Sequence, residues 1–289
     1  MSRTKLYSAT LVICLFMACE KGEVEYSESF IRIMDTPSSY IARTVVELED
    51  KSFVLCALPA TDGFNSVFNP SSGKPSLLSK YTSTGVLLWN IELPESVQVL
   101  WHCRLLDNGN IVAVGFNSED NSEWVGLATI SPSGELLKEH SFFNSSRSLP
   151  SSYGDNSVDC AVLQNGNIAL TMPHSMGSNI SLVPRLVVLD TELNKIVDRR
   201  YTPNSIVLER DLYQIYIQED ASGNLILLGR DKSTVTDTLN YFAFMLKLQA
   251  DSYEPIGFQL FHNSEKTSPS NLAISNTDDA IWTSSGPSQ

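Results

Sequence analysis

The sequence predicts an all-β protein built from repeated four-stranded antiparallel sheets. Three observations carry this. The stretch LLDNGNIVAVG begins at Leu105, and the similar VLQNGNIALTM begins at Val162, 57 residues later. Taking the first apolar residue after each NGN as anchor (Ile111, Ile168), equivalent positions fall at Phe53, Leu225 and Ile281, so five hairpins recur at 58, 57, 57 and 56 residues. No helical period of useful length appears beyond residue 18. A fixed period in this range marks a radial or stacked repeat architecture.

Each first hairpin reads as strand, tight turn, strand. Asn108-Gly109 and Asn165-Gly166 predict two-residue type I′ turns, which need positive φ at both central residues. Ser222-Gly223, Asp50-Lys51 and Asp278-Asp279 are weaker versions. A second hairpin follows each of the first four, at 77–93, 126–143, 185–202 and 244–261, with Gly85, Gly134 and Asn194 as φ-permissive turn residues. Four strands per 57 residues make one sheet, and such sheets set radially make a β-propeller. The expectation is five blades over 27–289, with hairpins near 45–57, 101–115, 158–172, 214–229 and 271–284. The fifth blade is incomplete, and a closing strand at 27–34 (SESFIRIM) supplies its outer edge. A truncated product of a larger propeller is the competing reading.

The first 18 residues read as a leader. MSRTK is basic, and Leu6–Ala18 is a 13-residue, largely apolar run, too short to span a bilayer. LFMAC (15–19) resembles the lipobox of bacterial lipoproteins, which implies cleavage before Cys19 and lipid on its thiol. Phe16 and Met17 depart from the usual Leu and small residue. The polar tether at 19–26, CEKGEVEY, resembles the segment that sends bacteroidete-type lipoproteins to the outer surface. The resemblance implies an outer-membrane lipoprotein of the bacterial envelope, touching membrane through its anchor only.

The net charge is −13, and −15 once the leader's two positive charges, Arg3 and Lys5, are gone. That argues against a nucleic-acid partner. Of the five cysteines, Cys56, Cys103 and Cys160 lie in the body, the last two 57 apart in apolar runs, and read as buried core residues. No Cys/His cluster suggests a metal, and no cofactor motif appears. The repeats resemble those of secreted and surface bacterial propellers, of the form KLDxxGxxxW with a later DGN. KYTSTGVLLW (80–89) also resembles the tryptophan-docking repeat of quinoproteins, through Thr84, Gly85 and Trp89, but the other three copies lack it. No GxSxG, HExxH or EF-hand pattern occurs.

Function is expected on the end of the sheets that carries long connections: 59–76, 116–124, 173–184 and 230–241 between second and third strands, and 143–155, 202–211 and 262–269 between blades. Phe64, Phe68, Trp124, Tyr153, His174 and Arg230 are its candidate ligand-contacting residues. Polar residues on the inner strands (His102, Arg104, Asp159, Gln214, Gln218) read as a network bonding to itself, with an Arg104–Asp159 pair. The expectation that follows is a non-enzymatic, lipid-anchored protein that binds a protein or glycan partner. A propeller enzyme acting on polysaccharide, as lyase or hydrolase, and a scaffold in an outer-membrane complex are the alternatives.

Overall fold

A computed structural model describes residues 40–59, 75–119, 122–145, 158–175, 182–202, 211–233, 240–263, 268–274 and 280–285. The expected closing strand at 27–34 and the leader, tether and Cys19 lie outside these residues. Among them, no helix is long and apolar enough to cross a membrane.

Among the described residues, eighteen strands form four meanders of four strands and one hairpin. The first sheet is β1 (Tyr40–Glu47), β2 (Phe53–Pro59), β3 (Leu77–Tyr81) and β4 (Leu87–Glu92). The second is β5 (Val99–Leu105), β6 (Ile111–Glu119), β7 (Ser122–Ile130) and β8 (Leu136–Ser145). The third is β9 (Asp159–Val162), β10 (Ile168–Ser175), β11 (Leu182–Leu189) and β12 (Lys195–Arg200). The fourth is β13 (Asp211–Glu219), β14 (Leu225–Ser233), β15 (Asn240–Leu248) and β16 (Pro255–Asn263). β17 (Ser268–Ile274) and β18 (Ala280–Ser285) pair alone. The first strands β1, β5, β9, β13 and β17 touch in succession, so the arrangement is propeller-like.

The middle strands read as apolar runs because they are buried on both faces. On β6, Val112 and Val114 point into one apolar layer with Leu170 and Met172 of the third sheet. The alternate residues Ile111 and Ala113 point the other way, into a layer with Val54 and Leu78 of the first sheet. The third sheet repeats this. Val187 and Leu189 face the second sheet, while Leu186 and Val188 join Leu227 and Leu246 of the fourth. Each fully buried Leu, Ile or Val contributes about 1.5–3 kcal/mol. One close approach is sequence-encoded: Gly115 and Gly126 are cross-strand partners, and a β-carbon on Gly126 would stand 1.7 Å from the Ser96 carbonyl. The 3-10 turn Glu95–Val97 lies over them.

The turns differ from expectation. Gly109 N–H donates to the Leu106 carbonyl (2.9 Å) and Leu106 N–H to the Asn110 carbonyl (2.8 Å). Gly109 has φ +81°, but Asn108 is not among the positive-φ residues. The turn is therefore not type I′: a four-residue turn ends in one left-handed residue. The same two bonds recur at 163–167, 48–52, 82–86, 131–135, 190–194 and 220–224. The left-handed place is held by Gly166, Lys51, Gly85, Gly134, Leu193 and Gly223. The permissive residue of the 190–194 turn is thus Leu193 (φ 60°), not Asn194. Asn194 instead bonds Asp190 through its side chain (3.0 Å). Asn108 and Asn165 each accept the backbone N–H two residues on (3.0 Å), which holds the turn and accounts for the Asn of each NGN.

The connections are also shorter than expected. Residues 116–124 are mostly strand, since β6 and β7 pair as far as Glu119 and Ser122. β10 and β11 pair to Ser175 and Leu182, and β14 and β15 to Ser233 and Asn240. Polar residues such as Asn117 and Glu123 looked like loop but sit where the sheet outruns its core.

Successive sheets are latched at their outer strands. The Trp89 indole N–H donates to the Pro132 carbonyl (3.1 Å), and its ring lies against Gly134. Lys138 bonds the Glu192 carbonyl and carboxylate, and Arg199 meets Glu254 at 2.7 Å. Trp89 therefore docks on the next sheet's turn, although its three counterparts are not tryptophan.

Candidate functional site

The inner strands carry the polar groups. On β5, His102 and Arg104 share one face and Cys103 turns to the core (1% exposed). On β9, Asp159 and Ala161 share the equivalent face. Stepping by the 57-residue period links His102, Asp159 and Tyr216 as one row, and Arg104, Ala161 and Gln218 as the next.

Asp159 ties three sheets together. It is 5% exposed. One carboxylate oxygen accepts the Cys160 N–H at 2.8 Å and Arg104 at 3.2 Å. The other accepts the Ile217 N–H of β13 at 2.9 Å. Arg104 also donates to the Cys160 carbonyl (3.0 Å) and the Cys103 carbonyl (3.2 Å). The expected Arg104–Asp159 pair is present. His102 Nε2 lies 3.5 Å from Asp159. Burial pushes the His102 pKa down, with Arg104 and Arg43 adding to it against the pull of Asp159. The imidazole is neutral near pH 7.

These residues line a cleft of about 500 Å³, with Gln164, Tyr216, Gln218 and Glu219. Its lining runs along the inner strands as far as Gln164, in the 163–167 turn. Glu219 accepts the Gln164 N–H at 2.6 Å. Burial raises its carboxyl pKa, helped by Asp220 and Asp251 and opposed by the Gln164 bond. A second cavity of about 280 Å³ adjoins it and shares Gln164 and Glu219. Among the described residues no group of three or more His, Cys, Asp or Glu is placed to hold a metal.

The expected face residues are only partly described. Phe64, Phe68 and Tyr153 lie outside the described residues. Arg230 sits on β14, paired in register with Gln214 and Ala243. Trp124 is half-buried and stacks edge-on against Phe143 (5.7 Å). His174 is 6% exposed. Burial lowers its pKa, then Arg200 and Arg185, against the Asn144 bond and Asp198. Around it, Arg185 grips Asp198 with two bonds of 2.9 Å and donates to the Phe143 carbonyl at 2.8 Å. Asn144 donates to the Pro173 carbonyl (3.0 Å). His174 thus sits in a packed junction between the second and third sheets, beside Asn144, while Trp124 packs within the second sheet on Phe143. Cys56, Cys103 and Cys160 are buried free thiols, as expected. Burial pushes the Cys160 thiol up to about 12.

Tyr216, Gln164 and Glu219 were not singled out in the sequence. The period itself points to Tyr216, because adding 57 to Asp159 lands on it.

No protein-family model matches the chain, and no curated protein does. Solved structures do. A protein of unknown function from Dyadobacter fermentans superposes with TM-score 0.54 at 12% identity, over 86% of this chain and 76% of that one. An α-L-arabinanase of Penicillium chrysogenum, solved with arabinobiose, gives TM-score 0.52 at 10% identity, over 80% and 69%. A GH93 α-L-arabinofuranosidase of Fusarium graminearum, also with arabinobiose, gives 0.52 at 10%, over 87% and 72%. At these identities the likeness is one of fold. It nevertheless overturns the expectation of a non-enzymatic binding protein, because the fold is one that arabinan-processing enzymes use. The polysaccharide-acting alternative is the reading carried forward.

Proposed function

We propose that the chain is a five-bladed propeller enzyme acting on polysaccharide, with its site in the axial cleft. The observation that carries this is the cleft itself: Glu219, with a raised carboxyl pKa, stands in a polar, half-open cavity of about 500 Å³ at the inner strands. The shared fold of the two arabinan-processing enzymes supports it. A carboxyl whose pKa is raised by burial suits a general acid, which protonates a leaving glycosidic oxygen. Glu219 gives its proton to the leaving oxygen as a water molecule adds to the anomeric carbon, and the proton that water releases to solvent restores Glu219. Asp159, Arg104 and His102 form the rigid wall against which the sugar sits.

The test is cleavage of polysaccharides read by reducing ends and product chromatography. Glu219→Gln should abolish cleavage with an unchanged melting temperature. Undiminished cleavage by Glu219→Gln would rule Glu219 out as the acid.

We also propose that the enzyme is held in the bacterial envelope by lipid on Cys19, from the leader and the LFMAC sequence. Labelling with a palmitate analogue should be lost in Cys19→Ala, and equal labelling would rule the anchor out.

A further inference from the structure

The two cavities form one feature. The axial cleft ends at Gln164 and Glu219, and the second cavity begins there. It runs outward along the seam between the third and fourth sheets, over the short turns. Taken together, the volumes lie in the roughly 300–1,000 Å³ range of ordinary ligand sites.

The lining of the outer part includes three small residues, Ala221, Gly223 and Ala250, together with Tyr253. Its rim is polar. The Gln164 amide nitrogen is spent on the Asp220 carbonyl (2.9 Å), which leaves its oxygen as an acceptor. The Asn165 oxygen is spent on Asn167 N–H (3.0 Å), which leaves its amide nitrogen as a donor. Ser222 and Asp251 add a hydroxyl and a carboxylate. Planar amides and carboxylates beside these small residues suit the hydroxyls and the flat face of a sugar.

At the preceding seam a side chain of the second sheet reaches the turn of the third: the Asp107 carboxylate lies 3.9 Å from where a β-carbon on Gly166 would stand, with Thr191 of the third sheet at 3.8 Å. Gln164 is the residue one period after Asp107, and it bonds the Asp220 carbonyl instead. At the equivalent place on Gly223 the near atoms, Ala250 at 3.4 Å and Glu219 at 3.7 Å, belong to the fourth sheet itself, so among the described residues no side chain of the third sheet stands there.

We infer that this seam groove is a sugar-binding subsite for an extended, uncharged glycan that enters the axial cleft across the short-turn face. This rests on the polysaccharide reading above. The charge class follows from the lining: Asp251 brings a carboxylate, no cation lines the outer cavity, and an acidic glycan would meet like charge.

The experiment uses the full chain and oligosaccharides of increasing length, prepared from arabinan, galactan, xylan and polygalacturonate. Ser222→Trp fills the groove, and Ser133→Trp, at the exposed turn of the second sheet, is the control. Expected: wild type cleaves a neutral polymer. Ser222→Trp leaves the shortest cleavable substrate unaffected and raises KM for longer ones about tenfold, the weight of one sugar's contacts. Ser133→Trp behaves as wild type at every length. If wild type cleaves but Ser222→Trp shows the same length dependence at an unchanged melting temperature, the groove inference falls and the enzymatic reading stands. Cleavage of polygalacturonate alone overturns the charge assignment. No cleavage of any of the four removes both readings together.

Discussion

Asp159 is the most informative position to perturb. Replacing it with alanine strips the acceptor from the Ile217 and Cys160 N–H groups and leaves Arg104 without its anion. A buried donor left unpaired costs about 1–3 kcal/mol. Breaking a buried ion pair from one side costs about 3–5 kcal/mol, but the Arg104 side chain is 37% exposed, and water recovers part of that. The net expectation is about 3–4 kcal/mol. With an m-value of about 3 kcal/mol/M in urea, the unfolding midpoint should fall by roughly 1 M. Arg104→Met is the companion variant. It leaves both backbone N–H bonds to Asp159 in place but strands a carboxylate whose side chain is 7% exposed, so it should cost about 3 kcal/mol. Equilibrium urea unfolding, followed by tryptophan fluorescence, measures both. A midpoint for Asp159→Ala indistinguishable from wild type would refute the claim that this carboxylate ties the second, third and fourth sheets.

Further expectations concern other parts of the chain. Gly134→Ala should lower Tm more than Gly109→Ala: both have positive φ, but only at Gly134 would the β-carbon meet another side chain closely, Trp89 at 2.9 Å. The strain common to both is about 1 kcal/mol, or roughly 2–4 °C, and equal shifts would mean that the Trp89 contact carries no weight. For Asp198, burial alone would raise the carboxyl, but hydrogen bonds from Arg185 and Lys195 and their charges outweigh it and hold it at about 2. The stability it adds is present above its unfolded value of 3.8 and is lost as pH falls through about 2. The stability gap between wild type and Asp198→Asn should therefore close between those values in acid titration, and a gap that persists at the acid end would be inconsistent with the assignment. Thiol reagent at pH 8 should leave Cys56, Cys103 and Cys160 unlabelled in the native protein and label them in denaturant, as read by peptide mapping. Native labelling at Cys160 would contradict its burial.

Much of the fold was legible because two-sided burial writes itself as apolar runs. IVAVG and RLVVL are strands whose alternate side chains go to different seams, and NGN marks where the chain reverses. The turn type was misread because Asn-Gly suggests type I′. The deciding bonds, Gly109 to Leu106 and Leu106 to Asn110, are backbone bonds and carry no residue signature. Leu193 could not be found this way at all, since leucine gives no hint of a left-handed backbone. The site was half visible. His102, Arg104 and Asp159 stood out as polar groups in inner strands, and their pairing followed. Glu219 and Gln164 did not, because their importance comes from the seam between two sheets, a property of packing that neither strand shows alone. The face was judged from loop length, and much of each long connection lies outside the described residues.

The alternation of side chains between seams has one more consequence. No sheet owns a core: the apolar layers belong to pairs of neighbours, with Val112 and Ile111, adjacent in sequence, serving different layers. The cooperative unit is then the junction, and each sheet is a shared wall between two junctions. Damage to a middle sheet should loosen both of its neighbours at once.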